Sequence, residues 1–219
     1  MAQAYPVVFL LDDEEAVVAG LARMLRVDGF QVRAWTSATE FLAVHDRTIP
    51  GCLVTDVRMP GMSGLGLQRA LLARGVHRPI VFMTAAGDIP TAVHAMKSGA
   101  VTFLSKPVER DQLLDAVHEA LARDAAARAH DQEQEDISSR IATLTRRERE
   151  VLDLLALGLM NKQIAGELGT AEKTIKAHRS HIFEKMRVPT ATQLIWLLSR
   201  AESFAARLRP ALQQYVRHH

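Results

Sequence analysis

The first half of the chain alternates short apolar runs with segments whose apolar residues recur at every third or fourth position. Such runs are typical of β-strands, and the intervening periodicity is typical of α-helices. Most runs are apolar at consecutive positions, which indicates a sheet that helices cover on both faces. We therefore predict an α/β fold, a doubly wound five-stranded parallel sheet with the strand order 2-1-3-4-5. The predicted strands are 5–11, 31–35, 52–57, 79–84 and 101–105, and the predicted helices include 14–27, 64–74, 89–98 and 109–123.

The second half of the chain has helical periodicity only. Thr145 and Glu148 have the spacing of a capping box, which marks the start of a helix. Gly158 and Gly169 separate three short helices, and the third is predicted over 172–186. Two short helices joined by a glycine turn form a helix-turn-helix, whose second helix can lie in the major groove of DNA. We therefore predict that a small all-α helix-turn-helix domain follows the α/β domain.

These patterns divide the chain into four regions. Residues 1–123 form the α/β domain, and residues 144–198 form the helix-turn-helix domain. Between them, residues 124–143 have no strong apolar period, and we interpret them as a solvated helical or flexible linker. Residues 199–219 are a C-terminal helical extension and tail. A fourth helix, predicted over 190–209, carries an apolar stripe that would either cover its own domain or pair with a second subunit.

Composition and charge narrow the class of protein. No apolar run among the 219 residues approaches the ~18 positions of a membrane span, and the first residues lack the pattern of a signal peptide. The single cysteine, Cys52, excludes an internal disulfide and favours a reducing compartment, so we expect a cytoplasmic protein. Residues 1–124 carry a net charge of −2 and residues 144–219 carry +6, which suggests that the second half faces a polyanion.

Polar side chains stand where the predicted strands end. Asp12 and Asp13 follow the first strand, and Asp56 lies near the end of the third. Thr84 ends the fourth strand, and Lys106 follows the fifth. In the predicted order strands 1, 3, 4 and 5 are neighbours, and the carboxyl ends of parallel strands meet at one edge. Each residue alone has an ordinary structural explanation, but their convergence on one edge indicates a functional site.

The chemistry of this set favours phosphoryl transfer. Three clustered carboxylates repel one another unless a cation lies between them, and Mg²⁺ suits carboxylates together with water and a phosphate oxygen. The Lys106 ammonium supplies a point charge for a phosphoryl group, and the Thr84 hydroxyl can hydrogen-bond the same group. The set therefore predicts Mg²⁺-dependent phosphoryl transfer onto a carboxylate, with Asp56 as the nucleophile.

The motifs LLDDEEAV, TDVRMPGMSG, MTAAGD and FLSKP resemble the receiver domain of bacterial two-component response regulators, over residues 5–123. The resemblance implies that Asp56 is the phosphoacceptor. It further implies that Asp13 binds Mg²⁺ directly and that Asp12 reaches the ion through water. The main-chain carbonyl of Arg58 would be the third protein contact to the metal.

The same resemblance implies a switch. Thr84 and Lys106 would hold the phosphoryl oxygens, and Thr84 would be drawn toward the phosphoryl group. Phe103 would rotate inward behind Thr84, and the surface of residues 89–105 would then favour dimerisation. The Lys106–Pro107 peptide resembles a cis bond of the family.

Residues 144–198 resemble the LuxR-type DNA-binding domain, so the whole chain resembles response regulators of the FixJ/NarL class. The candidate DNA contacts on or beside the exposed face of the recognition helix are Lys173, Thr174, Lys176, His178 and Arg179. Some would contact phosphates and others base edges.

Two positions depart from the LuxR-type pattern. Met160 stands where a serine usually caps the second helix, and Thr170-Ala171 stands where Ile-Ser or Val-Ser usually opens the recognition helix. Asn161 and Thr170 are the candidate caps, each shifted by one residue. Without a side-chain cap a helix loses about 1 kcal/mol of stability.

We therefore predict a phosphorylation-regulated, DNA-binding transcriptional regulator rather than an enzyme. A sensor histidine kinase would phosphorylate Asp56, and phosphorylation would favour a homodimer on a two-fold promoter site in double-stranded DNA. Two alternatives stay open. The first domain could be an interaction module in a phosphorylation-independent regulator, or the chain could be a Mg²⁺-dependent phosphohydrolase with aspartyl chemistry, although the sequence offers no obvious substrate cap or second acid/base.

Overall fold

A computed structural model of the chain describes residues 5–85, 99–201, 204 and 206. The chain forms two compact units, residues 1–128 and residues 129–219. We call them the α/β unit and the helical unit. The residue limits of the four predicted regions stay a prediction. No helix in the described ranges is both long and apolar enough to cross a bilayer.

The α/β unit is built on one five-stranded parallel sheet. Its order is β2-β1-β3-β4-β5, so the predicted fold and strand order are confirmed. The strands are β1 (Val7–Leu11), β2 (Gln31–Trp35), β3 (Gly51–Asp56), β4 (Ile80–Ala85) and β5 (Thr102–Lys106). Strands β1 and β3 are buried along their whole length, whereas the edge strand β2 is half-buried to exposed. Continuous burial of the central strands explains why their sequences do not alternate.

Helices cover both faces of this sheet. They are α1 (Glu15–Val27), α2 (Ala38–Val44), α3 (Gly64–Ala73) and the first part of α4 (Arg110–Ala142). One core joins Phe9, Phe41 and Phe82, and the other joins Leu10, Leu25, Leu113 and their neighbours. The helix predicted over 89–98 falls within residues 86–98, outside the described residues.

Helix α4 is much longer than predicted, because the helix expected to end at residue 123 continues to Ala142. The interval from 110 to 142 contains no glycine and no proline, so nothing in the sequence terminates the helix. Ile137, in the predicted linker, is fully buried in the core of the helical unit. Residues 124–142 of the predicted linker are therefore helical, which is one of the two forms, helical or flexible, that the sequence left open.

The helical unit packs four further helices around one core. They are α5 (Arg146–Ala156), α6 (Asn161–Glu167), α7 (Glu172–Met186) and α8 (Ala191–Arg200). The predicted capping box opens α5: Thr145 Oγ1 accepts from the Glu148 amide at 3.2 Å, and Glu148 Oε2 accepts from the Thr145 amide at 2.7 Å. Helix α7 has the predicted bounds.

Helix α8 is shorter than the predicted helix 190–209. It ends at Arg200, where Ala201 takes an extended conformation. Ala201 and Phe204 are buried in the core of their own unit. Leu194 and Leu198 are buried in the same core, so this part of the apolar stripe covers its own unit. Residues 202, 203, 205 and 207–219 lie outside the described residues.

The two expected shifted caps are wrong. Met160 is the N-cap of α6 and Ala171 the N-cap of α7, and neither side chain caps its helix. Asn161 Oδ1 instead accepts a hydrogen bond from Arg179 at 2.5 Å. Half of a capping box remains at α6, where Gln163 Oε1 accepts from the Met160 amide at 2.8 Å.

His45, which follows α2, is held in an aromatic cage of the α/β unit. Its ring centroid lies 5.8 Å from that of Phe9 and 4.9 Å from that of Phe41. Neither ring nitrogen has a hydrogen-bond partner in the described part of the chain. Burial and the nearby Arg78 guanidinium lower the pKa of His45 from 6.5 to about 4. The unfolded chain therefore binds this proton more tightly than the folded one, so folding loses stability as the pH falls from 6.5 to about 4.

A His45→Phe variant should lose this pH dependence. Between about pH 7 and about pH 4.5 the free energy of unfolding of the parent protein should fall by roughly 1–2 kcal/mol more than that of the variant. Urea unfolding can be followed by Trp35 fluorescence in a Trp196→Phe background, which reports on the α/β unit. Parallel pH profiles for the two proteins would contradict the assignment.

Candidate functional sites

The carboxyl edge of the sheet gathers three acids and one base. Asp12 and Asp13 follow β1, Asp56 ends β3 and Lys106 ends β5. Carboxylate oxygens of the three aspartates lie within 4.8 Å of one another. The Lys106 Nζ lies 2.7 Å from Asp12 Oδ2 and 3.0 Å from Asp56 Oδ2. The structure therefore brings together four of the residues that the sequence placed at strand ends.

The members of this acidic pocket differ in exposure. Asp12 is fully buried, Asp56 is 8% exposed, and Asp13 is exposed. The Glu14 amide donates to Asp12 Oδ1 at 3.1 Å, and the Arg58 amide donates to Asp56 Oδ1 at 3.3 Å. Each buried carboxylate thus has a backbone donor on one oxygen and the ammonium on the other. The exposed Asp13 leaves the pocket accessible from solvent.

Lys106 is the electrostatic centre of the pocket. Partial burial would lower its pKa, but the bonds and charges of Asp12 and Asp56 outweigh that effect and raise the pKa above the ordinary lysine value. Because the pKa of Lys106 is raised in the folded protein, the stability that its charge contributes is lost as the pH rises through the lysine range. The ion pairs also require that Asp12 and Asp56 be ionised. The Lys106–Pro107 peptide is cis, as the resemblance implied.

The pocket fits a magnesium ion. Its three carboxylates carry three negative charges against one ammonium, so two are not compensated. All candidate ligands are oxygens, which hard cations prefer, and one of the three acids is open to solvent, where water ligands can complete the coordination.

The two predicted switch residues lie on neighbouring strands. Thr84 is 7% exposed, and its hydroxyl donates to the carbonyl of Ala85 at 3.3 Å. The half-buried Phe103 stacks on Phe82, with ring centroids 5.1 Å apart. Of the surface predicted to change on switching, residues 89–105, the part 89–98 lies outside the described residues.

Helix α7 has one buried and one open face. Ile175, Ile182 and Met186 are fully buried and anchor it. A carboxylate of α5 also holds it, because Glu148 Oε2, 5% exposed at the side chain, lies 2.6 Å from Lys185 Nζ.

The five candidate DNA contacts differ in their surroundings. Lys173, Thr174 and Lys176 are exposed, whereas His178 and Arg179 are half-buried. Lys176 pairs with Glu172 of the same helix at 3.3 Å. Besides its bond to Asn161, Arg179 lies over the ring of Phe183 at 5.6 Å, so its side chain is engaged within the unit. Of the five candidates, the open face therefore carries Lys173, Thr174 and Lys176, whereas Arg179 lies at its border.

Sequence reasoning missed two residues of this face. Ala177 and Ser180 are exposed, and with Lys173 they continue a stripe at helical spacing opposite Ile175 and Ile182. The signal was the same periodicity that identified the buried face, applied to its opposite side. Small side chains at the centre of the stripe would let the helix approach base edges closely.

Comparison with known proteins finds matches to both units. The response regulator receiver domain matches residues 8–118, and the luxR family of bacterial regulatory proteins matches residues 142–198. The chain is 44% identical over 189 residues to nodulation protein W of Bradyrhizobium diazoefficiens, across 86% of this chain and 83% of that protein. It is 41% identical over 195 residues to the transcriptional regulatory protein FixJ of Azorhizobium caulinodans, across 89% and 92%. The solved structure of the response regulator StyR has a TM-score of 0.84 and 47% identity, across 90% of this chain and 100% of that chain.

Substitution of Asp13 tests the acidic pocket. Asp13→Asn should weaken Mg²⁺ binding by at least about tenfold, because it removes one charged oxygen ligand while leaving the buried ion pairs intact. Isothermal titration of the full chain with MgCl₂ measures the affinity. Asp111→Asn, at a side chain that is 91% exposed, is the matched control and should bind Mg²⁺ like the parent. Equal affinities for Asp13→Asn and the parent would show that the ion binds elsewhere.

Proposed function

Because the chain belongs to the response regulators of the FixJ/NarL class, we propose that it is a transcriptional regulator switched by phosphorylation of Asp56. The observation that carries the proposal is the position of the Lys106 ammonium, within 3.0 Å of a carboxylate oxygen of both Asp12 and Asp56. This arrangement supports a pocket in which Asp56 is the nucleophile, Asp12 is a further acid and Lys106 is the phosphoryl-binding cation.

Asp56 acts as the nucleophile. One carboxylate oxygen attacks the phosphorus of a phosphohistidine on a sensor kinase, the new O–P bond forms, and the N–P bond to the histidine breaks. The departing imidazole nitrogen takes a proton from water, so the histidine leaves neutral, and an acyl phosphate remains on Asp56. Asp13, Asp56 and the Arg58 carbonyl would hold a Mg²⁺, which Asp12 would reach through water, and the ion would supply charge neutralisation.

Lys106 stabilises the product of this transfer. Its ammonium already faces Asp56, so it can bind a phosphoryl oxygen without a large rearrangement. The Thr84 hydroxyl, at the end of the neighbouring strand, is the second candidate donor. The phosphoryl group adds about 1.5 to 2 negative charges at neutral pH, which draws both groups toward it.

The response proceeds through Thr84 and Phe103. If Thr84 leaves the Ala85 carbonyl for the phosphoryl group, the space behind it opens for the ring of Phe103, which now stacks on Phe82. The altered surface would favour a homodimer, and a homodimer carries two copies of α7. To convert the protein from a mostly inactive to a mostly active population, phosphorylation must stabilise the active state over the inactive state by about 5 kcal/mol.

Helix α7 reads DNA. In a helix-turn-helix the second helix enters the major groove, and in this unit α6 and α7 are those helices. Lys173, Lys176 and Thr174 supply contacts from the open face, while Ala177 and Ser180 lie closest to its centre. His178 and Arg179 flank the face, and Arg179 supports the packing of α6 on α7. A regulator that meets both a histidine kinase and promoter DNA would do so in the cytoplasm, so we place the protein there.

Asp56→Asn tests the phosphorylation step. Incubation of the full chain with Mg²⁺ and acetyl phosphate should add one phosphoryl group to the parent, as intact mass spectrometry measures, and none to the variant. Asp46→Asn, at an exposed aspartate of the same unit, should be modified like the parent. Modification of Asp56→Asn to the same extent would place the acceptor on another residue.

The salt dependence of DNA binding tests the open face of α7. Lys173→Ala and Lys176→Ala should each reduce the slope of log K against log salt by about 0.9, because each removes one phosphate contact. A DNA site selected from a random library provides the probe, and fluorescence anisotropy gives the affinity. Arg146→Ala removes the same charge from α5 at a side chain that is 96% exposed, and should leave the slope unchanged. If the parent and the three variants had equal slopes of log K against log salt, α7 would not contact DNA phosphates through these lysines.

A further inference from the structure

The middle of α4 is an exposed helix between two buried residues. Asp124, in the α/β unit, is 6% exposed, and Ile137, in the helical unit, is fully buried. None of the residues 125–136 is buried. A stretch of this length makes about three turns, and none of its residues is buried in a core. The stretch therefore depends on helix propagated from its two ends, where side-chain contacts hold α4.

The contacts at the first end come from Asp124 and Arg128, which we call the loop clamp. Asp124 Oδ2 accepts from the Gly51 amide at 2.8 Å and from Arg128 Nε at 2.8 Å. The terminal nitrogens of Arg128 donate to three main-chain carbonyls of the segment before β3, at 2.9–3.1 Å: those of Arg47, Thr48 and Ile49. The clamp thus joins α4 to a segment about 75 to 80 residues earlier in the chain.

Residues 47–51, to which the loop clamp is bonded, also make hydrogen bonds and contacts within the α/β unit. Arg78, which precedes β4 and is 7% exposed, donates to the carbonyls of Ile49 and Gly51 at 2.9 and 2.8 Å. Gly51 also lies against β1, where an added Cβ would be 1.9 Å from the carbonyl oxygen of Val7. Helix α4 is therefore bonded to a rigid part of the α/β unit rather than to a loose loop.

The second end of the stretch is held within the helical unit. Glu133 Oε2 accepts from Arg200 at 2.6 Å, and Gln134 Nε2 donates to the Arg200 carbonyl at 2.7 Å. Between the loop clamp and these contacts lies one helical turn, residues 129–132, in which every residue is exposed. Because its side chains are exposed, burial in a core adds little to the stability of this turn.

We propose that the loop clamp keeps residues 129–136 helical and that phosphorylation alters DNA binding only while it does so. Asp124 and Arg128 are accordingly positioning residues for signal transfer. The inference rests on the proposed function, because the clamp matters to signalling only if DNA binding responds to Asp56. Without the clamp the exposed turn melts, and a flexible connection no longer transmits a conformational change.

Two variants of Arg128 test the clamp in the full chain. Arg128→Gln removes the charge, and Arg128→Lys keeps it but replaces a fork of five donors by one ammonium, which cannot serve three carbonyls and Asp124 together. Arg123→Gln is the control, since Arg123 is on the same helix and pairs only with the exposed Glu119 among the contacts described for it.

Hydrogen exchange of the unphosphorylated proteins gives the first readout. Amides of residues 129–136 should exchange about tenfold faster in both Arg128 variants than in the parent and in the control, while amides of β3 and β4 keep their protection. If amide exchange became faster only in residues 46–51, or in no segment, the loop clamp would stabilise only its immediate contacts, and the proposal would be overturned.

DNA affinity with and without acetyl phosphate gives the second readout. Both Arg128 variants should be phosphorylated like the parent, bind the selected DNA like the parent before phosphorylation, and lose most of the gain in affinity afterwards. A full gain despite faster exchange would overturn the coupling role. If the parent itself shows no gain, the proposed function fails and the coupling role with it, while the exchange data still decide whether the clamp maintains the helix.

Discussion

The site depends on one interaction, the contact of the Lys106 ammonium with the buried carboxylates of Asp12 and Asp56. Two buried carboxylates side by side are costly unless a positive group compensates them. Lys106 supplies that charge in the resting protein, and Asp13 adds a third acid at the exposed side. The pocket still has an excess of negative charge, which a divalent cation can balance. The group that stabilises the acids is thus also the group that would bind a phosphoryl oxygen in the proposed function.

The topology of the sheet makes this contact possible. Lys106 and Asp56 are 50 residues apart, and parallel strands bring their ends to the same edge. Apolar runs of strand length, separated by helical periodicity, were enough to predict that arrangement and the strand order. The acidic pocket was predictable for the same reason, because its members are the residues at which the apolar runs stop.

Features set by distant contacts were not predictable. Residues 124–143 have no apolar period, so a helical and a flexible linker both stayed open, and the continuity of this helix with the last helix of the α/β unit was not predicted. Part of that helix is held by Arg128, whose partners lie about 80 residues earlier. Arg179 was predicted to lie on or beside the exposed face of the recognition helix, but it also bonds to Asn161 of α6. Only the packing of the two helices creates that bond.

Three parts of the chain carry the proposed response to phosphorylation. The acidic pocket would take up the phosphoryl group, α7 would read the DNA, and α4 connects the two units as a single helix whose exposed turn is supported from both ends. Each of these parts uses charged groups whose partners come from other elements, so each is sensitive to the fold around it.

A crystal structure of the full chain with Mg²⁺ and beryllium fluoride, which mimics a phosphoryl group on aspartate, would test the central claim most directly. We expect beryllium to be bonded to a carboxylate oxygen of Asp56 and to carry the fluorides, one of which contacts Lys106 Nζ. We expect the Mg²⁺ to be bound by Asp13, Asp56 and the Arg58 carbonyl. Density for the mimic on another residue, or Lys106 turned away from it, would contradict the account.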